Sequence, residues 1–449
     1  MRVHYHTFGC KANQYDTERM RQELEARGAV TVSEWDGADV VVLNTCTVTN
    51  QADAQARRTI RRIRRDNPEA RVVVAGCSAA LKARDYEAME GVQGVVPGHD
   101  PVEVARNAAP VQRLVSIAVR RSLDRMDTEP VGGTLLRSRE AGTRGWLKIQ
   151  DGCDRKCAFC ATRLARGASR SRSVEAVVAE ARLLARSHPE LVLTGVHIGH
   201  YGRDLPDPVP LSALVGRLLD EVPDVRFRLG SIEATEVDDD LLDLLVTSGE
   251  RLAPHLHMPL QSGADPVLRR MRRWHSRRQY RRRALEIAAR LPVLGLGADI
   301  ITGFPGETDR DHADTVALAE ELPFTYLHVF PFSPRDGTVA AELQQEIPVP
   351  QRVAGERSRE LRERVEEKGE AYRRRRAGEE SVVVLESGGS ALTEDYLRVR
   401  TLLPAPEGAR RSDPPDPRGL HRGLLQHRGD DLYIALSSFT SDPLAAPLS

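Results

Sequence analysis

Six cysteines fall into two trios, Cys10, Cys46 and Cys77, then Cys153, Cys157 and Cys160, and none is left over. In a small secreted chain an even count would suggest disulfides. This chain has 449 residues, no apolar signal-peptide stretch at its N-terminus and no apolar run near the roughly 18 residues that cross a bilayer. At 40% hydrophobic and 29% charged residues it reads as a soluble globular protein of several domains. A cytoplasmic location without a membrane partner is the default expectation. Lys+Arg and Asp+Glu both number 65, so net charge points to no nucleic-acid partner, although local patches matter more than the sum.

The surroundings of the cysteines set the fold class. Apolar strands at Arg2–Phe8, Val40–Thr45, Arg71–Ala75 and Val92–Val96 alternate with helical stretches from about Tyr15 to Arg27 and Asp53 to Arg65. That alternation predicts an α/β fold with a doubly wound parallel sheet. Pro110 to Gly142 lacks sustained periodicity and reads as a linker. Beyond it, strands at Trp146–Gln150, Leu191–Gly195, Arg226–Ser231, His255–Leu260, Gly297–Ile301 and Tyr326–Phe330 again alternate with helices. Six such units predict a partial (β/α)6 barrel with its chemistry at the strand C-termini. A charged helix from about Gln351 to Arg376 closes this part, and a small β-rich domain follows, broken by a Pro- and Gly-rich stretch from Leu403 to Arg418.

Cys153, Cys157 and Cys160 lie within eight residues directly after the first barrel strand. Three thiolates on one loop can hold three irons of a [4Fe–4S] cluster and leave the fourth open. The amino and carboxylate groups of S-adenosylmethionine suit that open iron, and reductive cleavage of the sulfonium yields a radical that takes hydrogen from a C–H bond. The competing assignments are a zinc site, which lacks a fourth cysteine, or inert buried thiols. The other trio is spread out, with 35 residues between Cys10 and Cys46 and 30 between Cys46 and Cys77. Each of its members nevertheless follows a predicted parallel strand, so all three emerge at one sheet edge. Gly9 and Gly76 allow sharp turns beside two of them. A second cluster is expected there, with buried free cysteines, or zinc completed by His4 or His6, as alternatives.

With these motifs in view the chain resembles the radical-SAM methylthiotransferases over nearly its whole length. The resemblance rests on His6–Glu18, Asn44–Asn50, Ala75–Cys77, Leu193–Gly199, His257–Gly263 and Gly303–Glu307. It implies an N-terminal methylthiotransferase domain (1–112), a radical-SAM core (139–376) and a TRAM-like, RNA-binding β-barrel (377–441). It also implies two [4Fe–4S] clusters, with S-adenosylmethionine serving both as methyl donor and as radical source. Three branches share this architecture. They act on isopentenyladenosine in tRNA, on threonylcarbamoyladenosine in tRNA, or on an aspartate of a ribosomal protein. Thr47-Val-Thr49, Gln51-Ala-Asp53, Ser169–Arg172 and Val196-His-Ile198 resemble the threonylcarbamoyladenosine branch. The implied partners are tRNAs reading ANN codons, modified at C2 of adenosine 37, and an unidentified electron donor. Departures are the sequence Ala161–Leu164 after the third loop cysteine and His200 in place of a serine. A non-catalytic iron–sulfur RNA-binding protein and a zinc-dependent RNA-binding module are the rivals from other classes.

Glu233 and Gln261 fall at expected C-terminal ends of barrel strands and are candidate contacts to S-adenosylmethionine. Gly303, in a Gly-Phe-Pro-Gly turn, is expected to let the adenine approach the backbone. Arginines crowd 57–65, 269–283 and 373–376, each either a phosphate-binding patch or a solvated helix face.

Overall fold

The computed structural model describes residues 1–109, 135–139, 142–402, 419–429 and 431–436. Most of the expected linker and the stretch Leu403–Arg418 lie outside the described residues. Five parallel strands form the first sheet, in the spatial order Val30–Thr31, Arg2–Thr7, Val40–Thr45, Arg71–Gly76 and Val92–Val95. Every residue of Val40–Thr45 is buried, and its alternate side chains feed two cores. Val41 and Leu43 meet Ala56, Ile60 and Ile63 of the helix Asn50–Asp66. On the other face Val40 and Val42 meet Met20 and Leu24 of the helix Lys11–Ala26, and Val104 of Pro101–Ala108. Helices thus cover both faces, as a parallel sheet requires. The edge strand Val30–Thr31 was not expected, because two residues show no alternation to read.

Six further parallel strands curve into the second unit: Gly145–Lys148, Glu190–Thr194, Arg226–Leu229, His255–His257, Gly295–Thr302 and Tyr326–Pro331. Isolated bridges Phe227–Leu252 and Ser231–His257 join its halves. Among the described residues no pairing links the first strand to the sixth, so the barrel is partial. The N-terminal domain spans that gap. On one side Trp146 Nε1 donates to Gln14 Oε1 at 2.9 Å, and Tyr15 donates to Glu180 at 3.1 Å. On the other, Arg335 donates to Thr47 Oγ1 at 2.6 Å and to Asp53 at 2.7 Å, and the Asn50 amide donates to Ser333 Oγ at 3.2 Å.

The helix Gln351–Arg376 packs Leu361 and Val365 into the barrel's outer core. Five strands, Glu380–Glu386, Ser390–Thr393, Arg398–Leu402, Leu420–Arg428 and Asp431–Leu436, then close a small C-terminal barrel, as a TRAM-like domain would. It docks on the N-terminal ends of the large barrel's strands. Arg226 donates to Val382 O at 2.7 Å, while Arg228 donates to Glu394 O at 2.9 Å and to Thr393 O at 3.0 Å. Both guanidiniums also bind Glu190, at 2.7 and 2.9 Å. Tyr396, at φ 73°, turns its ring onto His255, with centroids 4.1 Å apart. The arginine run 373–376, open to either a phosphate-binding or a solvated-face reading, is partly structural, since Arg376 is buried against Glu394 at 2.7 Å and Asp395 at 2.9 Å.

Glu190 is the single carboxylate between two fully buried guanidiniums. Truncating it leaves those charges uncompensated, a loss of about 3–5 kcal/mol. The expected result for Glu190→Ala is an unfolding free energy, extrapolated from urea titration, lowered by that amount, with easier proteolytic release of the C-terminal barrel; an unchanged urea midpoint would contradict this account.

Candidate active site

The six cysteines lie where two parallel sheets end. Cys10 caps the helix Lys11–Ala26, Cys46 follows the strand ending at Thr45, and Cys77 opens the short helix Cys77–Leu81. Gly9 (φ 94°) and Gly76 (φ 99°) make the turns. Both positions also need an absent side chain: a Cβ on Gly9 would stand 2.6 Å from Cys46 Sγ, and one on Gly76 2.4 Å from Asn44 Oδ1. The glycines therefore let the chain turn and let the end of the strand Val40–Thr45 approach.

Hydrogen bonds fix the sulfurs. The Val48 amide donates to Cys46 Sγ at 3.4 Å, and Arg166 Nε donates to Cys77 Sγ at 3.2 Å. His99 Nε2 stands 3.6 Å from the same sulfur. Burial pushes the Cys77 thiol up to about 12, against the pull of Arg166, and raises Cys46 as well. His4 and His6 point elsewhere, into an aromatic group with Trp35 and Phe8.

Cys153, Cys157 and Cys160 sit on the loop after the first barrel strand, each half-buried. The Thr162 amide donates to Cys160 Sγ at 3.4 Å, Arg273 lies 3.6 Å from Cys157 Sγ, and His197 Nδ1 lies 3.5 Å from Cys153 Sγ. Burial pushes the Cys153 thiol up to about 12. Cys46 and Cys77 are buried and the loop trio half-buried, each trio with N–H groups beside two or more of its sulfurs, whereas Cys10 is exposed at the rim. Ligation draws such thiols off as thiolates, and the donors offset the added negative charge. The donor sets fit iron–sulfur clusters.

A buried ionic lattice connects the two trios. Lys148 Nζ lies 2.7 Å from Asp16 and 2.6 Å from Asp151. Arg166 donates to Asp151 at 2.8 Å, to Asp16 at 2.8 Å and to Asn13 Oδ1 at 2.6 Å, besides Cys77. Burial works to raise both carboxylates, but Lys148 and Arg166 overcome it and hold Asp16 and Asp151 below the usual range.

Glu233 and Gln261 stand at strand C-terminal ends. Glu233 takes Arg273 at 2.5 Å, and its carboxyl is raised by burial. Gln261 adopts φ 71°, and its amide donates to Asp299 O at 2.8 Å. Gly303 (φ 70°) faces the closing helix, where a Cβ would meet Ala354 Cβ at 2.3 Å. Helix packing therefore already requires a glycine there.

Two family descriptions match the chain: "Uncharacterized protein family UPF0004" over residues 2–98 and "Radical SAM superfamily" over 147–319. The threonylcarbamoyladenosine tRNA methylthiotransferase MtaB of Rickettsia prowazekii is 35% identical over 396 residues, covering 88% of this chain and 90% of that protein. The chain belongs to the radical-SAM methylthiotransferase family. The MtaB protein of Bacillus subtilis is 36% identical over 354 residues, covering 77% of this methylthiotransferase and 76% of that protein. A solved radical S-adenosylmethionine methyltransferase, TsrM of Kitasatospora setae, shares the fold at TM-score 0.54 and 16% identity, covering 77% of this chain and 78% of that one. Among the described residues of this methylthiotransferase no helix is long and apolar enough to cross a membrane. Membership implies that a [4Fe–4S] cluster and S-adenosylmethionine serve its reaction.

The methylthiotransferase uses residues that local pattern did not single out. Arg166, His99, Asp16 and Lys148 act through partners far away in the chain. The arginines at 269–283 are in part turned inward: Arg273 binds Glu233, Arg277 reaches the carbonyls of Gly263 and Asp314, and Arg283 binds Asp239.

Because Asp16 has a depressed folded-state pKa, its contribution to stability is full above its unfolded value near about 4 and fades as pH falls below it. Urea midpoints of wild type and Asp16→Asn should therefore differ at pH 7 and converge as the pH drops. A gap that stays constant with pH would rule out the carboxylate as its source.

Proposed function

We propose that this enzyme methylthiolates C2 of N6-threonylcarbamoyladenosine at position 37 of tRNAs reading ANN codons. The carrying observation is the contact of Arg166 with Cys77 on one side and with Asp151, at the root of the Cys153 loop, on the other. That shared arginine supports reading the two cysteine trios as one site at the barrel mouth. The relatives named for threonylcarbamoyladenosine tRNA support the substrate. In this proposal Cys153, Cys157 and Cys160 hold one [4Fe–4S] cluster, and Cys10, Cys46 and Cys77 hold a second. When bound, the first supplies the electron that splits S-adenosylmethionine, and the second supplies the sulfur that carries the methyl group.

The chain's own residues have the remaining work. Arg273 spans Cys157 and Glu233, and so sets the Glu233 carboxylate beside the cofactor loop. Glu233 and Gln261 then orient the polar groups of S-adenosylmethionine, and the backbone turn at Gly303 lines the adenine side. Arg335 clamps Thr47 and Asp53 to the rim, which holds the Cys46 loop over the mouth. With the side gap spanned, the reacting carbon is shielded from water.

The test is anaerobic reconstitution followed by turnover on tRNA carrying threonylcarbamoyladenosine. Wild type should bind about eight irons and form both deoxyadenosine and the 2-methylthio nucleoside. A variant with Cys10, Cys46 and Cys77 replaced by alanine should keep about four irons and form deoxyadenosine alone. Methylthiolation of isopentenyladenosine instead, or of no tRNA nucleoside, would overturn the substrate assignment.

A further inference from the structure

The barrel interior is polar and aromatic rather than filled with apolar side chains. Leu147, Leu191, Phe227, Leu256 and Val329 point outward into the helix-covered core. The alternation of the strands therefore turns their neighbours inward. Among these are Trp146, Arg228, His255, His257 and His328, with Tyr396 entering from below.

Lys11 reaches into this chamber from the domain that spans the gap. Its Nζ stands 5.9 Å from the ring centroids of both Trp146 and Tyr396, the outer limit of a cation–π contact. Among the described residues no carboxylate or carbonyl is bonded to that ammonium. The nearest candidate, Glu190, is already taken by Arg226 and Arg228, and Arg144 Nη1 approaches it only to 3.7 Å. Arg144 Nη1 is itself buried without a hydrogen-bond partner. A cation this deep without a counter-ion is costly unless an anion arrives to pair with it. Lys11 nevertheless keeps part of its surface accessible.

The opposite wall is built for hydrogen bonding. Asp299 Oδ1 takes His257 Nε2 at 3.1 Å and His328 Nδ1 at 3.3 Å. Tyr326 lies between the walls, its ring 5.7 Å from Tyr396 and 5.3 Å from His328. Gly297 makes room for it, since a Cβ there would stand 2.0 Å from the Tyr326 ring.

We propose that this chamber holds the N6 substituent of the substrate adenosine, with Lys11 pairing its carboxylate and the Asp299–His328 wall meeting its remaining polar groups. The inference rests on the proposed function and deepens it by naming the specificity-determining cation. C2 and C6 of adenine flank the same ring nitrogen, so a substituent on N6 lies on the reacting side of the base and needs housing in the barrel. A surplus of positive charge favours a substituent ending in a carboxylate over an apolar one.

The test is binding of synthetic anticodon stem-loops by the reconstituted enzyme, followed by fluorescence anisotropy. The probes carry threonylcarbamoyladenosine, its neutral methyl ester or isopentenyladenosine. Wild type should prefer the free acid over the ester by roughly tenfold, the worth of one charge-assisted contact. Lys11→Met should lose that preference at unchanged iron content, and Lys11→Arg should restore most of it. Retention of the preference in Lys11→Met would overturn the role of Lys11 and leave the substrate assignment standing. Equal binding of the threonylcarbamoyl and isopentenyl probes by wild type would instead overturn the assignment on which the inference rests.

Discussion

Arg166 is shared between two domains, and the geometry of the site follows from that sharing. Its guanidinium is almost wholly buried, so each of its bonds counts more than it would at the surface. One arm holds Asp151 at the root of the Cys153 loop, another holds Asp16 and Asn13 on the N-terminal helix, and Nε reaches Cys77. A planar, permanently charged fork can satisfy acceptors in several directions at fixed angles, which a lysine cannot. Lys148 completes the lattice by bridging the two carboxylates. Burying so many charges adds little net stability; what it adds is register. The sheet edge bearing Cys10, Cys46 and Cys77 has one position in which every charge is answered, and that position sets it beside the barrel mouth.

The side opening of the barrel is managed by the same logic. A partial barrel has two unpaired edges, at Gly145–Lys148 and Tyr326–Pro331. Here a helix lies along one and an arginine clamp from Arg335 secures the loop beyond the other. The domain that carries one trio of cysteines is thus also the wall beside the interior, so that trio and the enclosure come as one piece.

Much of this was legible in the chain because the signals are local. Apolar runs ending in Gly-Cys at Cys10 and Cys77, or directly in a cysteine at Cys46, announce both the strands and the edge at which the sulfurs gather. All six barrel strands fall within or beside their expected spans, and the helix Gln351–Arg376 coincides with its expected span. Arg226–Leu229 and His255–His257, though, alternate polar and apolar residues instead of forming apolar runs. What local pattern lacks is pairing across distance. Asp16 and Arg166 meet over 150 residues, and no periodicity marks either as an ion partner. Arginine-rich stretches are equally silent on partners: composition shows charge at 269–283, but only the fold shows that Arg273 and Arg283 pair with carboxylates. The Gly-Phe-Pro-Gly turn was legible at Gly303, but the helix that presses on it at Ala354 was not. Lys11 carries no local signal either, since its partners Trp146 and Tyr396 lie in other domains.

Tyr396 belongs to the C-terminal barrel, yet its ring forms the floor beneath His255. The chamber therefore joins parts far apart in the chain, with Lys11 made well before Tyr396. During synthesis the side wall precedes the floor, so an emerging chain can form its cysteine-bearing sheet edge while its interior still lies open underneath. The C-terminal barrel is then a keystone, and a chain that stops short of it leaves behind a vessel with no floor.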